Sequence, residues 1–152
     1  MKAIVQRVRS ATLHVYGEFR AECGTGLVVL AGIEVPDTER ELRWMAEKIV
    51  NLRIFPDAEG LMNRSVLDVS GDILLVPNFT VAGDCRRGRR PSFSTAMAPA
   101  EASPMFDTFA SLVEGFPVRV ARGEFGADML VSIGNDGPVT LILETPRSDA
   151  AR

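Results

Sequence analysis

The sequence predicts a single α/β domain in which a mixed, largely antiparallel sheet carries two main helices. Three observations lead there. The chain has 152 residues, the size of one domain, and a domain of that size buries roughly two-thirds of its unfolded surface without help from disulfides or metals. Short apolar runs rich in Val, Ile and Thr recur along it and are separated by Gly, Pro and Asn turns, as strands are. Only two stretches carry apolar residues at helical spacing.

The elements follow in order. Lys2 to Val8 and Ala11 to Tyr16 read as two antiparallel strands, with a turn at Gly17-Glu18. Leu27 to Ile33 is a continuous apolar run bounded by glycines and closed by Pro36, the pattern of a strand buried on both faces. Thr38-Glu39-Arg40-Glu41 has the spacing of a capping box, and Leu42, Met45, Ile49 and Leu52 follow on one face, so a helix is expected from Thr38 to Leu52. Trp44 and Met45 belong to that packing face. A short strand at Arg53 to Phe55 leads into a turn at Pro56 to Gly60. Asp72 to Phe79 is a further apolar strand in which Pro77, having no N–H to donate, marks an edge or the end of pairing. Ser103-Pro104 is read as the start of the second helix, with Met105, Phe106, Phe109, Leu112 and Val113 on one face. Strands at Val118 to Arg122, Met129 to Ile133 and Val139 to Leu143 complete a domain of residues 1–145, and Pro146 to Arg152 reads as a tail.

Composition excludes several classes. With 46% hydrophobic and 24% charged residues and no apolar run of membrane-spanning length, the chain reads as an ordinary globular protein without a membrane role. Met1 to Arg7 lacks the apolar region of an export signal, so a cytoplasmic location is expected. A net charge of -3 argues against indiscriminate nucleic-acid binding through a basic surface. Cys23 and Cys85 have no metal-ligand spacing and read as free thiols, so neither a metal nor another cofactor is expected. His14 is the only histidine and sits in a strand, which rules out a Ser-His-Asp triad or a histidine zinc site. No nucleotide-binding glycine loop is present either. Any catalysis must therefore draw on backbone groups or on the substrate.

Two polar segments stand out. Arg86-Arg87-Gly88-Arg89-Arg90-Pro91 puts four guanidinium groups into six residues of loop, and arginine forks match phosphate oxygens. Asn135-Asp136-Gly137-Pro138-Val139-Thr140 reads as a stiff turn between two strands, because Asn, Asp and Gly tolerate positive φ and proline fixes its own. Its carbonyls are held in set directions and suit an amine ligand. Each segment is also compatible with a plain surface loop.

Read together, the segments resemble the D-aminoacyl-tRNA deacylases, also called D-tyrosyl-tRNA deacylases. The likeness runs through Gln6-Arg7-Val8, Gly26 to Gly32, Arg53-Ile54-Phe55, Gly60 to Val66, Asn78-Phe79-Thr80-Val81, Gly88 to Phe93, Phe125 to Val131 and Asn135 to Thr140. It implies a sheet closing toward a barrel and a homodimer in which a cis Gly137-Pro138 reaches the partner's active site. It further implies that Phe79 and Thr80, beside Asn78, line the catalytic pocket, that Phe125 and Met129 shape it, and that Arg86, Arg87, Arg89 and Arg90 lie near the tRNA. The implied reaction is hydrolysis of the ester joining a D-amino acid, or glycine, to the terminal adenosine. Backbone N–H groups near Phe79 and Thr80 would hold the ester oxygen and Gly-Pro carbonyls the ammonium. Pro77-Asn78 departs from the family's usual Ser-Gln; a proline there resembles a sister family of animal tRNA deacylases that tolerates L-alanine, whereas Phe79 follows the D-specific pattern. Two other classes stay open on the sequence. A small-molecule ester hydrolase or binding protein would not need the arginine loop, and a catalytically silent RNA-binding protein would fail a deacylation assay.

Overall fold

The computed structural model describes residues 1–147, so the expected tail is seen only at Pro146 and Arg147, and its remainder lies outside the described residues. The chain runs β1 (Lys2–Val15), β2 (Glu18–Cys23), β3 (Gly26–Gly32), α1 (Glu39–Asn51), β4 (Phe55–Pro56), β5 (Met62–Arg64), β6 (Asp72–Pro77), a 3-10 turn (Phe79–Ala82), α2 (Pro99–Glu114), β7 (Arg119–Arg122) and β8 (Met129–Glu144).

The main sheet has the order β2-β1-β3-β6-β7, with β8 paired to β1. Strand β1 organises it. Its first half pairs with β3, its second half with β2, and β8 runs antiparallel along both halves, so β8 covers the opposite edge. The β3–β6 and β6–β7 pairs are parallel, which makes the sheet mixed.

The two strands expected at Lys2–Val8 and Ala11–Tyr16 are one strand of 14 residues. The buried side chains Ala3 and Val5, then Val8, then Ala11, Leu13 and Val15 step by two, three, three, two and two. Each step of three coincides with a register shift against β8, between Gln6 and Val8 and between Val8 and Ser10. A bulge turns the next side chain to the other face, and in the sequence that change of phase looks like a break.

Gly26–Gly32 and Asp72–Pro77 are buried on both faces. On one side Leu27, Val29, Ile73 and Leu75 meet α1 and α2 in a core centred on Met45, Ile49, Phe106 and Phe109. On the other, Val28, Leu74 and Val76 meet Val8, Leu13 and Val15, with Met129, Val131 and Ile133 packed against them. The sheet therefore curls over itself toward a barrel, and the helices cover its outside. Those two strands have no solvated face and no alternation.

Helix α1 begins as the spacing predicts: the Glu41 carboxylate accepts from the Thr38 N–H at 2.8 Å and the Thr38 hydroxyl at 2.6 Å. Helix α2 begins before the expected Ser103-Pro104, at Pro99, and Pro104 lies inside it. A proline at the first helical position loses nothing, since that N–H has no helical partner. Pro104 leaves the Ala100 carbonyl without its usual donor, but both residues are exposed and water is available. The short strand expected at Arg53–Phe55 forms at Phe55–Pro56, where Phe55 pairs with Arg64. The chain's start is tied down as well: the Met1 ammonium lies 2.5 Å from Asp37 Oδ1 and 2.8 Å from Thr145 Oγ1, and Thr145 N–H donates to the Met1 carbonyl.

Candidate active site

The strand expected to continue to Phe79 stops at Pro77, its last residue paired with β3, opposite Ala31. The Asn78 N–H still donates to the Ala31 carbonyl at 2.8 Å, and the chain then winds into the 3-10 turn. This change of direction leaves Phe79 55% exposed on a rigid sheet end. Asn78 organises the turn. Its Oδ1 accepts from the Thr80 N–H at 3.2 Å and from the Thr80 hydroxyl at 2.5 Å. One amide oxygen therefore engages both donors of Thr80, and the first N–H of the turn, on Phe79, is the donor that 3-10 winding leaves without a helical acceptor.

Phe79 has an aromatic partner that sequence reasoning missed. Phe93 meets it edge-on, with ring centroids 5.1 Å apart and planes at 71°. Gly83 makes room, since a Cβ there would stand 3.0 Å from Phe93 Cε1. Phe93 ends the Gly-Arg-Arg-Pro-Ser-Phe segment, and two hydrogen bonds between Asp84 and Ser92, at 2.8 and 2.9 Å, close the arginine loop and return Phe93 to the turn. An aromatic just after a basic loop was the available signal.

The four arginines of the loop are all exposed, but they are not equivalent. Arg86 donates to Asp84 through Nε at 2.9 Å and Nη2 at 2.6 Å, and its backbone N–H bonds the same carboxylate. Those bonds hold the Asp84 carboxyl well below the usual carboxylate range. Arg87, Arg89 and Arg90 have no ion pair among the described residues.

Pro77 and Met129 meet across Gly123, where an added Cβ would lie 3.0 Å from Met129 Sδ and 3.0 Å from Pro77 Cδ. Both thus sit at the strand end that carries Phe79. Phe125 packs half-buried against Phe106 of α2, with centroids 6.4 Å apart.

Asn135–Thr140 is not a turn between two strands. Residues on both sides of it pair with β1 in one direction, as parts of the single strand β8. Gln6 pairs with Thr140 and Val8 with Asn135, so Asp136, Gly137, Pro138 and Val139 all stand opposite Arg7. The sequence signals a departure from regular backbone correctly, but that departure is a loop-out within a strand. The Gly137–Pro138 bond is cis, and Gly137 has φ of 116°.

Side chains brace this excursion. Asn135 Nδ2 donates to the carbonyls of Arg7 and Val139, each at 3.0 Å, and Thr140 Oγ1 donates to Asn135 Oδ1 at 3.3 Å. Arg9 Nε donates to Asp136 Oδ1 at 2.9 Å. Arg7, only 12% exposed, lies with Nε 3.2 Å from Asp136 Oδ2, without the alignment of a hydrogen bond, while its Nη1 donates to the Ile54 carbonyl at 2.7 Å. Arg7 is a second residue that sequence reasoning left without a role, and its signal is a charge at the point where the apolar phase of β1 slips.

The chain does not bring Gly137–Pro138 to its own Phe79 and Thr80. Arg7 pairs with Leu27, whereas Pro77 pairs with Ala31, and three strand spacings separate β8 from β6.

Neither His14 nor Cys23 offers the turn a nucleophile. His14 packs edge-on against Phe19 in the second half of β1. Burial pushes the Cys23 thiol up to about 11, which leaves it protonated at neutral pH.

Comparison with known proteins gives the family of the chain. A D-aminoacyl-tRNA deacylase of Geobacter sp. (strain M21) is 53% identical over 146 residues, 96% of this chain and 98% of that protein. One of Chlorobaculum parvum is 52% identical over 151 residues, covering 97% and 99%. A solved structure titled c-Myc DNA Unwinding Element Binding Protein superposes with a TM-score of 0.92 at 41% identity, covering 97% of this chain and all of that one. A second, titled as a probable eukaryotic D-amino acid tRNA deacylase, gives a TM-score of 0.80 at 20% identity over 93% of this chain and 97% of that one, a likeness of fold. The profile of the D-Tyr-tRNA(Tyr) deacylases matches residues 4–144, which takes in the Asn78–Thr80 turn, the arginine loop and the Gly137–Pro138 excursion, and the chain belongs to that family.

Proposed function

We propose that this protein hydrolyses the ester of D-aminoacyl-tRNA, and of glycine misattached to a non-cognate tRNA, as chirality proofreading in the cytoplasm. The observation that carries the reading is the Asn78–Thr80 turn: an exposed substrate platform whose one hydroxyl is bonded to an amide oxygen, with no base to take its proton. A threonine so placed is a poor nucleophile. The substrate supplies what is missing. The 2'-hydroxyl of the terminal adenosine adjoins the ester carbon, and placement of that kind is worth several powers of ten in effective concentration. Water adds to the carbonyl, the bond to the ribose 3'-oxygen breaks, and the free amino acid and tRNA leave. The Phe79 N–H stabilises the oxygen that gains charge.

Chirality selection belongs to Gly137–Pro138, which reaches the pocket of a second subunit. The separation of this element from Phe79 within one chain supports the homodimer, as do exposed apolar side chains on β8, Leu130 at 64% and Ile142 at 71%. Main-chain carbonyls of the braced excursion hold the ammonium, and an L side chain is driven against that backbone. Arginine-loop cations meet tRNA phosphates, and Pro77, Phe125 and Met129 border the aminoacyl end.

The deciding experiment compares D-Tyr-tRNA with the same tRNA ending in 2'-deoxyadenosine, using wild type and Thr80→Ala. Thr80→Ala is expected to retain substantial turnover, and the deoxy substrate to bind and resist hydrolysis. A dead Thr80→Ala protein that still binds tRNA, together with rapid cleavage of the deoxy substrate, would place the chemistry on a protein side chain.

A further inference from the structure

The arginine loop holds four like charges, yet its geometry divides them. Asp84 and Ser92 form the base of the loop through their paired backbone hydrogen bonds, and Gly88, with φ of 67°, lies between them in the chain. At that base the Asp84 carboxylate receives three bonds from Arg86: two from the guanidinium and one from the backbone N–H. The pair is electrically neutral. A phosphate approaching Arg86 meets the Asp84 carboxylate beside it, and a guanidinium already neutralised by a carboxylate displaces few of the counterions condensed on the nucleic acid. Arg87, Arg89 and Arg90 keep their full charge at exposed positions, with no carboxylate partner among the described residues.

We infer that Asp84 is a positioning residue for RNA recognition: it withdraws Arg86 from the phosphate-binding set, fixes the loop on that guanidinium, and leaves Arg87, Arg89 and Arg90 as the cations that contact the nucleic-acid backbone. The inference rests on the tRNA deacylase reading and deepens it. A single exposed ion pair contributes little to stability. Here its effect is geometric, because the same carboxylate also engages the Arg86 backbone and the same residue closes the loop with Ser92. Phe93 follows Ser92 directly and meets Phe79 edge-on, so the fixed loop base also sets the distance between the phosphate-contacting cations and the aminoacyl pocket.

The test is the salt dependence of D-Tyr-tRNA binding, together with steady-state deacylation, for wild type and for Arg86→Gln, Arg87→Gln, Arg89→Gln and Arg90→Gln. Removing one phosphate-binding cation lowers the slope of log affinity against log salt by about 0.7–0.9. That reduction is expected for Arg87, Arg89 and Arg90. Arg86→Gln is expected to keep the wild-type slope while raising KM a few-fold. Asp84→Asn should raise KM several-fold with kcat unchanged and steepen the slope as Arg86 is released, and Asp84→Glu, which keeps the charge, should recover part of the KM. The inference is overturned if Arg86→Gln reduces the slope as much as the other three, or if Asp84→Asn leaves both KM and slope at wild-type values. Wild-type deacylation separates the two levels: activity with four equal slope reductions removes only the division of the loop, whereas no activity on D-Tyr-tRNA removes the functional reading and this inference with it.

Discussion

Gly137→Ala perturbs the excursion with a single carbon. At φ of 116° the residue lies where side chains are disfavoured, and its new Cβ would stand 3.0 Å from Val139 Cγ2 and 3.1 Å from Arg7 Nη2. Occupying that backbone region costs an L residue on the order of 1–3 kcal/mol. In a domain of this length each kcal/mol lowers the melting temperature by about 2–4 °C. The protein should therefore stay folded, with a melting temperature lower by a few degrees. The functional cost should be larger, because Arg7 is held by the Ile54 carbonyl and can give way little, so the Gly137 backbone moves instead. A displacement approaching an ångström at a positioning element costs about 10²-fold in turnover. Deacylation of D-Tyr-tRNA should fall by one to two powers of ten, and discrimination against L-Tyr-tRNA should narrow. Mixing isolates the cross-subunit step. Gly137→Ala and Phe79→Ala subunits, each impaired alone, form at random a population in which about one quarter of the sites have both native halves if each site takes one element from each subunit. Recovery of activity near that fraction is expected. No recovery from demonstrably mixed subunits, or full activity and L-rejection in Gly137→Ala alone, would refute the reasoning.

Three further outcomes follow from the same geometry. Restoring Ser and Gln at Pro77 and Asn78 should leave D-Tyr-tRNA turnover equal or modestly higher, since a longer amide can release the Thr80 N–H; a complete loss of turnover in the folded double variant would count against this account of the turn. Phe93→Ala removes the ring beside Phe79 and should raise KM for D-Tyr-tRNA several-fold while shifting the melting temperature by only a few degrees, because Phe93 is 37% exposed; an unchanged KM would leave Phe93 outside the pocket. On acidification, Glu41, held at about 2 by the Thr38 hydroxyl and backbone N–H against its ordinary value of 4.5, stabilises the fold fully above pH 4.5 and loses that contribution as pH falls toward 2. Asp72, lowered by its bonds to Arg119 and the Gly24 N–H, acts in the same direction below its own ordinary value of 3.8. Thermal melts of Glu41→Gln should accordingly show a shallower acid limb than wild type, and an identical limb would remove Glu41 from the balance.

What the sequence discloses and what it hides divide along a physical line. Burial on both faces of Leu27 to Gly32, the helix after Thr38 and the stop at Pro77 were legible because each rests on a local rule: continuous apolarity, a capping carboxylate, a missing N–H. The single strand β1 was not, because its two bulges shift the side-chain phase and imitate a break. Asn135–Thr140 misled for a related reason. The residues that let a chain reverse also let it loop out of a ladder and return, and only the register against Gln6 and Val8 separates the two. The Ser103-Pro104 reading of α2 failed because a serine before proline looks more like a cap than the Ala98 that precedes Pro99.

The site shows the same division. Asn78, Phe79, Thr80, Gly137 and Pro138 were singled out through motif resemblance, but the residues that hold them are non-local in sequence. Arg7 reaches Asp136 from the far end of the chain, and Asp84 closes on Ser92 around the loop before Phe93 can meet Phe79. Resemblance finds groups that face the substrate, since their chemistry constrains residue type. It passes over the bracing, which is defined by which segments the fold sets side by side. In the proposed mechanism the bracing decides how a catalyst without its own base can be selective. There the Gly137–Pro138 excursion rejects the wrong hand only if it yields less than the side chain it excludes, and the groups that brace it are Asn135, Asp136, Arg7 and Arg9, none of which needs to touch the substrate.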